Sequence, residues 1–295
     1  MFDTHCHLNF KAFAGKVDQV INRARDAGVD YFVVPGTDVE TSQKAIEITE
    51  KFEGVYAAVG IHPHHVYKLY SNVILGSESD SRIDSGQARM TNALNEIEKL
   101  LSHHKVIAVG EVGLDRHVYK NTKYKNYDIY PEFIEGQKIF FLEQLKLASK
   151  YKKTLIIHSR EAKKDLLNLL TDNRQLITEY RTVFHCCEPD FVETGHALSL
   201  LDFAKKYRIY IGIDGDVTYW KEKQDFVREI PLDLLVLETD SPLLLPKPLR
   251  SQKKFPNEPK NLKIISAFIA NIKGISEEKL AYITEENSKK LFRIV

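Results

Sequence analysis

Thr154-Leu155-Ile156-Ile157-His158 is a short apolar, β-branched run that stops on an ionisable residue, and residues 161–170 after it return apolar side chains at helical spacing. A strand followed by a helix is the repeating unit of a largely parallel sheet. Working outward, the same kind of run recurs at 2–7, 31–36, 55–61, 106–111, 182–185, 209–213 and 234–240. Segments with one apolar face lie at 16–27, 39–52, 92–102, 133–151, 195–207, 221–229 and 261–273. Beyond Gly274, Ser276 fits an N-cap with Glu277 and Glu278 in the first turn of a closing helix. Eight strands are what a closed barrel requires, so the expected fold is α/β, a TIM-like (β/α)8 barrel with loop insertions, in one domain over 1–295. Three stretches break the rhythm. Residues 71–89, rich in serine, glycine and aspartate, read as a solvated insertion; 116–130 is basic and tyrosine-laden; 245–259 carries four prolines.

Composition narrows the function. With 43% hydrophobic and 28% charged residues the chain excludes disordered, collagen-like and disulfide-scaffold classes. Its 42 basic and 41 acidic residues leave a net charge of +1, so no global field draws in nucleic acid or an acidic membrane, and any polyanion site is local. Cys6, Cys186 and Cys187 are an odd number with one adjacent pair, which fits a reducing compartment; a cytoplasmic protein is expected. Nothing at Met1-Phe2-Asp3 resembles a secretory signal, and the apolar runs fall far short of the ~20 residues of a membrane span.

The chemistry gathers at strand ends. In Asp3-Thr4-His5-Cys6-His7 the two-residue strand period aims Asp3, His5 and His7 at one face, so two imidazoles converge and an acidic neighbour can fix their tautomer. Alone, these residues also fit a pair of hydrogen-bonded core histidines. Glu111, His158, His185 and Asp240 each close another strand, and in a parallel barrel those ends share one rim. Six nitrogen or oxygen donors there suffice for two divalent ions sharing a carboxylate, with positions left for water. Two ions about 3.5–4 Å apart stabilise both the attacking and the leaving oxygen of a phosphoryl transfer. Hydrolysis is the expected chemistry, with Glu111 as bridge and Asp240 ligating one ion and orienting or deprotonating the attacking water. No serine nucleophile with a partnered base and no phosphate-binding glycine loop competes.

Asp3-Thr4-His5-Cys6-His7-Leu8, Gly60-Ile61-His62-Pro63-His64, Gly110-Glu111-Val112-Gly113-Leu114-Asp115, Ile157-His158-Ser159-Arg160 and Glu238-Thr239-Asp240-Ser241-Pro242 resemble, in order, the motif set of the TatD family of metal-dependent deoxyribonucleases. The resemblance runs over nearly the whole chain. It implies a barrel hydrolase that removes nucleotides from DNA, a 3′–5′ exonuclease, with magnesium as the working ion and manganese or zinc as alternatives. It also implies His5, His7, Glu111, His158, His185 and Asp240 as metal ligands, His62 and Arg160 facing the substrate phosphate, and Asn257 and Glu258, in the segment after the last strand, as further substrate-binding residues. Two departures stand out: Cys186-Cys187-Glu188-Pro189 follows His185 where the family carries phenylalanine, a small polar residue and glycine. Strand seven ends in Ile213-Asp214-Gly215-Asp216-Val217-Thr218, more acidic than the usual serine-containing version. Cys186, next to a ligand on its strand, is expected to turn away from the metals.

Arg116, Lys120, Lys123 and Lys125 are interleaved with Tyr119, Tyr124, Tyr127 and Tyr130, the pairing of charge and stacking surface expected for single strands; Lys247, Arg250, Lys253 and Lys254 form a second basic patch. Single-stranded DNA or 3′ ends are therefore the expected partner of a monomeric protein. The alternatives are a related metallohydrolase acting on a small amide, lactone or phosphate ester, and a silent scaffold that keeps a structural metal.

Overall fold

The structure is a computed structural model and describes residues 1–74, 80–120, 122–124, 127–177, 181–189 and 199–294, with side chains described outside 70–74 and 80–87. Strands β1 (Phe2–Asp3), β2 (Tyr31–Pro35), β3 (Val55–Val59), β4 (Val106–Asp115), β5 (Thr154–Arg160), β6 (Thr182–Phe184), β7 (Tyr210–Ile213) and β8 (Leu235–Leu237) form one sheet in chain order. Every neighbouring pair is parallel. The seam between β8 and β1 is held by Thr4 N–H donating to Leu237 O (3.1 Å), Asp240 N–H to His5 O (2.9 Å) and His7 N–H to Ser241 O (2.7 Å). The fold is the TIM-like (β/α)8 barrel that the strand–helix alternation predicts.

One residue from each strand, Phe2, Val33, Ala58, Ala108, Ile156, Val183, Tyr210 and Val236, forms a buried cluster with Leu291 and Phe292, while the alternate strand residues pack in a second, larger cluster with the helices. That split is the in–out alternation of a barrel wall. Phe2 stacks on Phe292 with ring centroids 5.7 Å apart, and Thr154 Oγ1 donates to Leu291 O at 2.7 Å. Phe2 and Thr154 open their strands, so the end of α10 (Glu277–Phe292) closes the N-terminal base of the barrel and the C-terminal mouth is left for chemistry.

The other helices are α1 (Val17–Asp26), α2 (Val39–Thr49), α3 (Pro63–Ile74), α4 (Asp80–Leu100), α5 (Pro131–Lys150), α6 (Lys163–Asp172), α7 (Leu200–Tyr207), α8 (Lys221–Glu229) and α9 (Leu262–Lys273). The insertion expected over 71–89 is helical at both ends: α3 reaches Ile74 and α4 begins at Asp80, with 75–79 outside the described residues. A helix anchored by buried Ile97 extends at little cost per added residue, even through poor formers. Pro63 at the first helical position and His62 Nδ1 accepting from His64 N–H at 3.1 Å start α3. Of the expected helix 195–207, residues 195–198 lie outside the described residues; α7 is capped by Ser199 and α10, as expected, by Ser276. Among the described residues no helix is long and apolar enough to cross a membrane.

Two local irregularities aim the site. β1 ends at Asp3, so the strand period does not carry through to His7; the Asp3 carboxylate is taken up by Thr239 N–H (3.0 Å), Thr239 Oγ1 (2.6 Å) and His5 N–H (3.3 Å), and not by an imidazole. β4 carries a bulge. Its pairing with β5 steps from Val109↔Leu155 to Val112↔Ile157, so Gly110 and Glu111 together oppose Ile156. Glu111 N–H turns to Gly36 O at 3.1 Å.

Candidate metal centre

Glu111 stands at the middle of the barrel mouth with imidazoles around both of its oxygens. Oε2 lies 3.4 Å from His5 Nε2 and 3.7 Å from His7 Nε2; Oε1 lies 2.7 Å from His158 Nδ1 and 3.4 Å from both His62 Nε2 and His185 Nε2. Asp240 Oδ1 completes the first side, 3.4 Å from His7 Nε2 and 3.9 Å from His5 Nε2. Donors about 2.1 Å from one cation stand about 3–4 Å from each other, which is the spacing seen at every pair but His158 and Glu111, closer at 2.7 Å. His5–His7–Glu111, His5–His185–Asp240 and His62–Glu111–His158 each bring three ligand atoms within 4.8 Å of one another. His5 Nε2 lies 3.2 Å from His7 Nε2, and among the described residues the remote Nδ1 atoms of both rings are buried without a hydrogen-bond partner, so the pair is held only from the side that faces Glu111. The six residues expected as ligands thus meet at one place, and His62 joins them.

Electrostatics follow from crowding. Burial opposes the charge on Glu111, yet the imidazoles of His62, His185, His158 and His5 prevail and hold its carboxyl well below the usual range. His5, buried beside His185 and stacked on it at 3.5 Å, is pushed down to about 4. Burial works against charge on His158 and His185 as well, but carboxylates win and hold them up at about 10 and about 9. For His158 these are Asp115, whose Oδ2 lies 3.3 Å from Nε2, and Glu111; for His185 they are Glu238, whose Oε1 lies 3.1 Å from Nδ1, and Glu111.

Asp115 and Glu238 are neighbours of the site that the sequence alone does not single out. Each sits on the far ring nitrogen of an imidazole, where an acceptor fixes tautomer and orientation. Glu238 also accepts from Thr4 Oγ1 at 3.3 Å and from Cys186 N–H. The available signal was an acid next to the all-apolar strand Leu234-Leu235-Val236-Leu237. A side chain on Gly212 would collide with the Glu238 carboxylate, so glycine makes room for it.

A cavity of about 410 Å³ opens over this centre, lined by Glu111, His158, His185 and Asp240, by His62, His64, His65, Tyr119 and Arg160, and by Cys186, Asp216, Leu243 and Leu244. His62 and Arg160 therefore face it. Asn257 and Glu258 do not, which corrects their assignment to the substrate. Asn257 is fully buried and donates through Nδ2 to Thr239 O at 2.9 Å; Glu258 is held by Arg23 at 2.9 and 3.0 Å and by Lys260 at 3.2 Å. Both brace the chain after Asp240. Cys186 lines the same cavity and donates from Sγ to Asp214 Oδ2 at 2.9 Å.

The basic loop 116–130 is partly spent on structure. Arg116 pairs with Asp165, Tyr119 OH donates to Asp115 Oδ2 at 2.6 Å, and Tyr124 OH meets His65 Nδ1 at 2.6 Å. Tyr124, Tyr127 and Tyr130 pack on the core; Lys120 and Lys123 are exposed, and Lys125 lies outside the described residues. Lys247, Arg250, Lys253 and Lys254 are exposed beside Phe255, itself 62% exposed.

A family model described as TatD related DNase matches residues 2–293. YabD of Bacillus subtilis strain 168, an uncharacterized metal-dependent hydrolase, is 34% identical over 296 residues, covering 100% of this chain and 99% of that protein. YcfH of Escherichia coli K12, likewise an uncharacterized metal-dependent hydrolase, is 26% identical over 299 residues, covering 100% and 96%. The crystal structure of YjjV, a TatD homologue from Escherichia coli K12, matches with a TM-score of 0.76 at 25% identity over 100% of this chain and 98% of that one. These matches run through all the strands that build the barrel and its mouth, and the chain belongs to the TatD-related family of metal-dependent hydrolases.

Proposed function

We propose that this chain is a deoxyribonuclease that uses two divalent cations to remove nucleotides from the 3′ end of single-stranded DNA. The observation that carries it is Glu111, whose two oxygens face separate sets of imidazoles, as a carboxylate shared by two ions does. His5, His7, Glu111 and Asp240 would hold one cation, and Glu111, His158 and His185 the other. Bound there, divalent ions supply an acidified water and neutralise charge on the phosphate. Magnesium is the proposed ion, with manganese and zinc tested beside it because imidazole-rich sets also suit softer metals.

Asp240, on the cavity wall beside His7, accepts the proton of the attacking water. Arg160, with its guanidinium 5.3 Å from the Tyr119 ring centroid, and His62 orient the phosphate. Lys120, Lys123 and the exposed 247–254 segment give the strand its charge contacts. All three cysteines are free, in keeping with action in a reducing, cytoplasmic setting.

The test is digestion of a 5′-labelled single-stranded oligonucleotide by protein stripped of metal and reloaded with magnesium, manganese or zinc. A ladder shortening from the 3′ end is expected; an intact oligonucleotide with loaded protein sinks the proposal. Engagement of Arg116, Tyr119 and Tyr124 within the fold favours one second function, hydrolysis of a small phosphate ester. Activity indifferent to neutralising Lys120, Lys123, Lys247 and Arg250 would select it.

A further inference from the structure

The acidic end of β7 builds a cluster that the metal centre does not use. Lys223, on α8, is completely buried; its ammonium lies 2.7 Å from Asp214 Oδ2 and 2.5 Å from Asp216 Oδ1. Asp214 is wholly enclosed and well supplied, for it also accepts from the Cys186 thiol at 2.9 Å and from Asp216 N–H at 2.9 Å. Asp216 shares the same ammonium but sits on the cavity wall with His185, Cys186 and Asp240. One buried cation between two carboxyls leaves a surplus negative charge, and burial of an uncompensated charge is costly. A proton on one carboxyl removes it.

The groups around Asp216 decide which carboxyl that is. Asp214 faces it from the end of β7, Lys223 from α8, Cys186 from the segment after β6, and Tyr219, with the Arg250 guanidinium 4.2 Å from its ring centroid, from the turn into α8. Burial and the Asp214 charge push Asp216 up to about 8 against the pull of Lys223, while Lys223 and the donors around Asp214 hold that carboxyl low. The proton therefore rests on the cavity-facing member of the pair at neutral pH.

We infer that Asp216 is the proton donor to the leaving oxygen of the substrate, with Lys223 as the positioning residue that stabilises the carboxylate left behind. This rests on the phosphodiesterase function proposed above. The water oxygen bonds to phosphorus and its proton passes to Asp240. The P–O bond to the preceding sugar breaks, and its electron pair takes the Asp216 proton. Lys223, at 2.5 Å, balances the new charge until solvent returns a proton. An alkoxide is a poor leaving group and needs that proton, whereas p-nitrophenolate does not.

The experiment compares wild type and Asp216→Asn on a thymidine dinucleotide and on thymidine 5′-p-nitrophenyl phosphate, which yield the same nucleotide from different leaving groups. The expected result is a kcat loss of about 100-fold or more on the dinucleotide and under about fivefold on the nitrophenyl ester. Wild-type kcat on the dinucleotide should also decline above about pH 8 while the nitrophenyl ester shows no such limb, a readout that survives if the variant fails to fold. Equal losses on both esters, no loss on either, or identical alkaline limbs overturn the inference. A wild-type enzyme that cleaves the nitrophenyl ester but not the dinucleotide removes the inference; failure on both esters removes the nuclease function itself.

Discussion

Glu238→Gln leaves the size of a buried side chain unchanged and removes the charge that lies 3.1 Å from His185 Nδ1. Metal affinity is expected to fall about 10–100-fold, as for other partners of ligating imidazoles, with the fold intact by circular dichroism; unchanged affinity in a calorimetric titration contradicts the role. Protons compete with metal at the same place. In stripped protein His158 and His185 stay protonated up to about 10 and about 9. Raised folded values add stability that is complete below their ordinary value of about 6.5 and lost as pH climbs through 9 to 10. The Tm of chelated protein should therefore fall between pH 7 and 10, and divalent metal, which displaces those protons, should cancel the fall. A flat profile without metal speaks against the pairing. Glu111, His158, His185 and Asp240 are legible in sequence because each comes at or near the C-terminal end of an apolar run, and His5 and His7 because two imidazoles stand two residues apart just after the first strand. Asp115, Glu238 and the true partners of Asp3 are not, since they depend on side-chain directions set by a bulge and by the end of a strand.

At the scale of elements, strand order and type follow from the apolar runs, while the irregular pieces escape them. The bulge in β4 comes from pairing with β5, a contact between residues far apart in sequence. Helix α4 grows through residues whose composition alone suggests a loop, and α3 announces itself only through Pro63. Gly113 is where β4 and β5 meet beside His158: its φ is 150°, and an added Cβ would collide with the His158 carbonyl. Gly113→Ala is expected to cost about 2–3 kcal/mol in urea unfolding and to weaken metal binding through displacement of His158. Wild-type stability in that variant would mean that the strands can part there freely.

The whole molecule separates its tasks along the barrel axis, with α10 closing the base and the ligands, cavity and exposed basic segments at the mouth. A net charge of +1 leaves polyanion attraction to those segments. Neutralising Lys247, Arg250, Lys253 and Lys254 should raise KM for single-stranded DNA, hold kcat, and flatten the dependence of log KM on log salt by about 0.7 per lost contact; an unaltered salt slope would put the strand elsewhere. The central claim is that six side chains from five strand ends gather two cations around Glu111. Anomalous diffraction from crystals loaded with manganese tests it most directly. Two peaks about 3.5–4 Å apart, one on either side of the Glu111 carboxylate, are predicted; no peak, or a single peak that leaves Glu111 without metal, would contradict it.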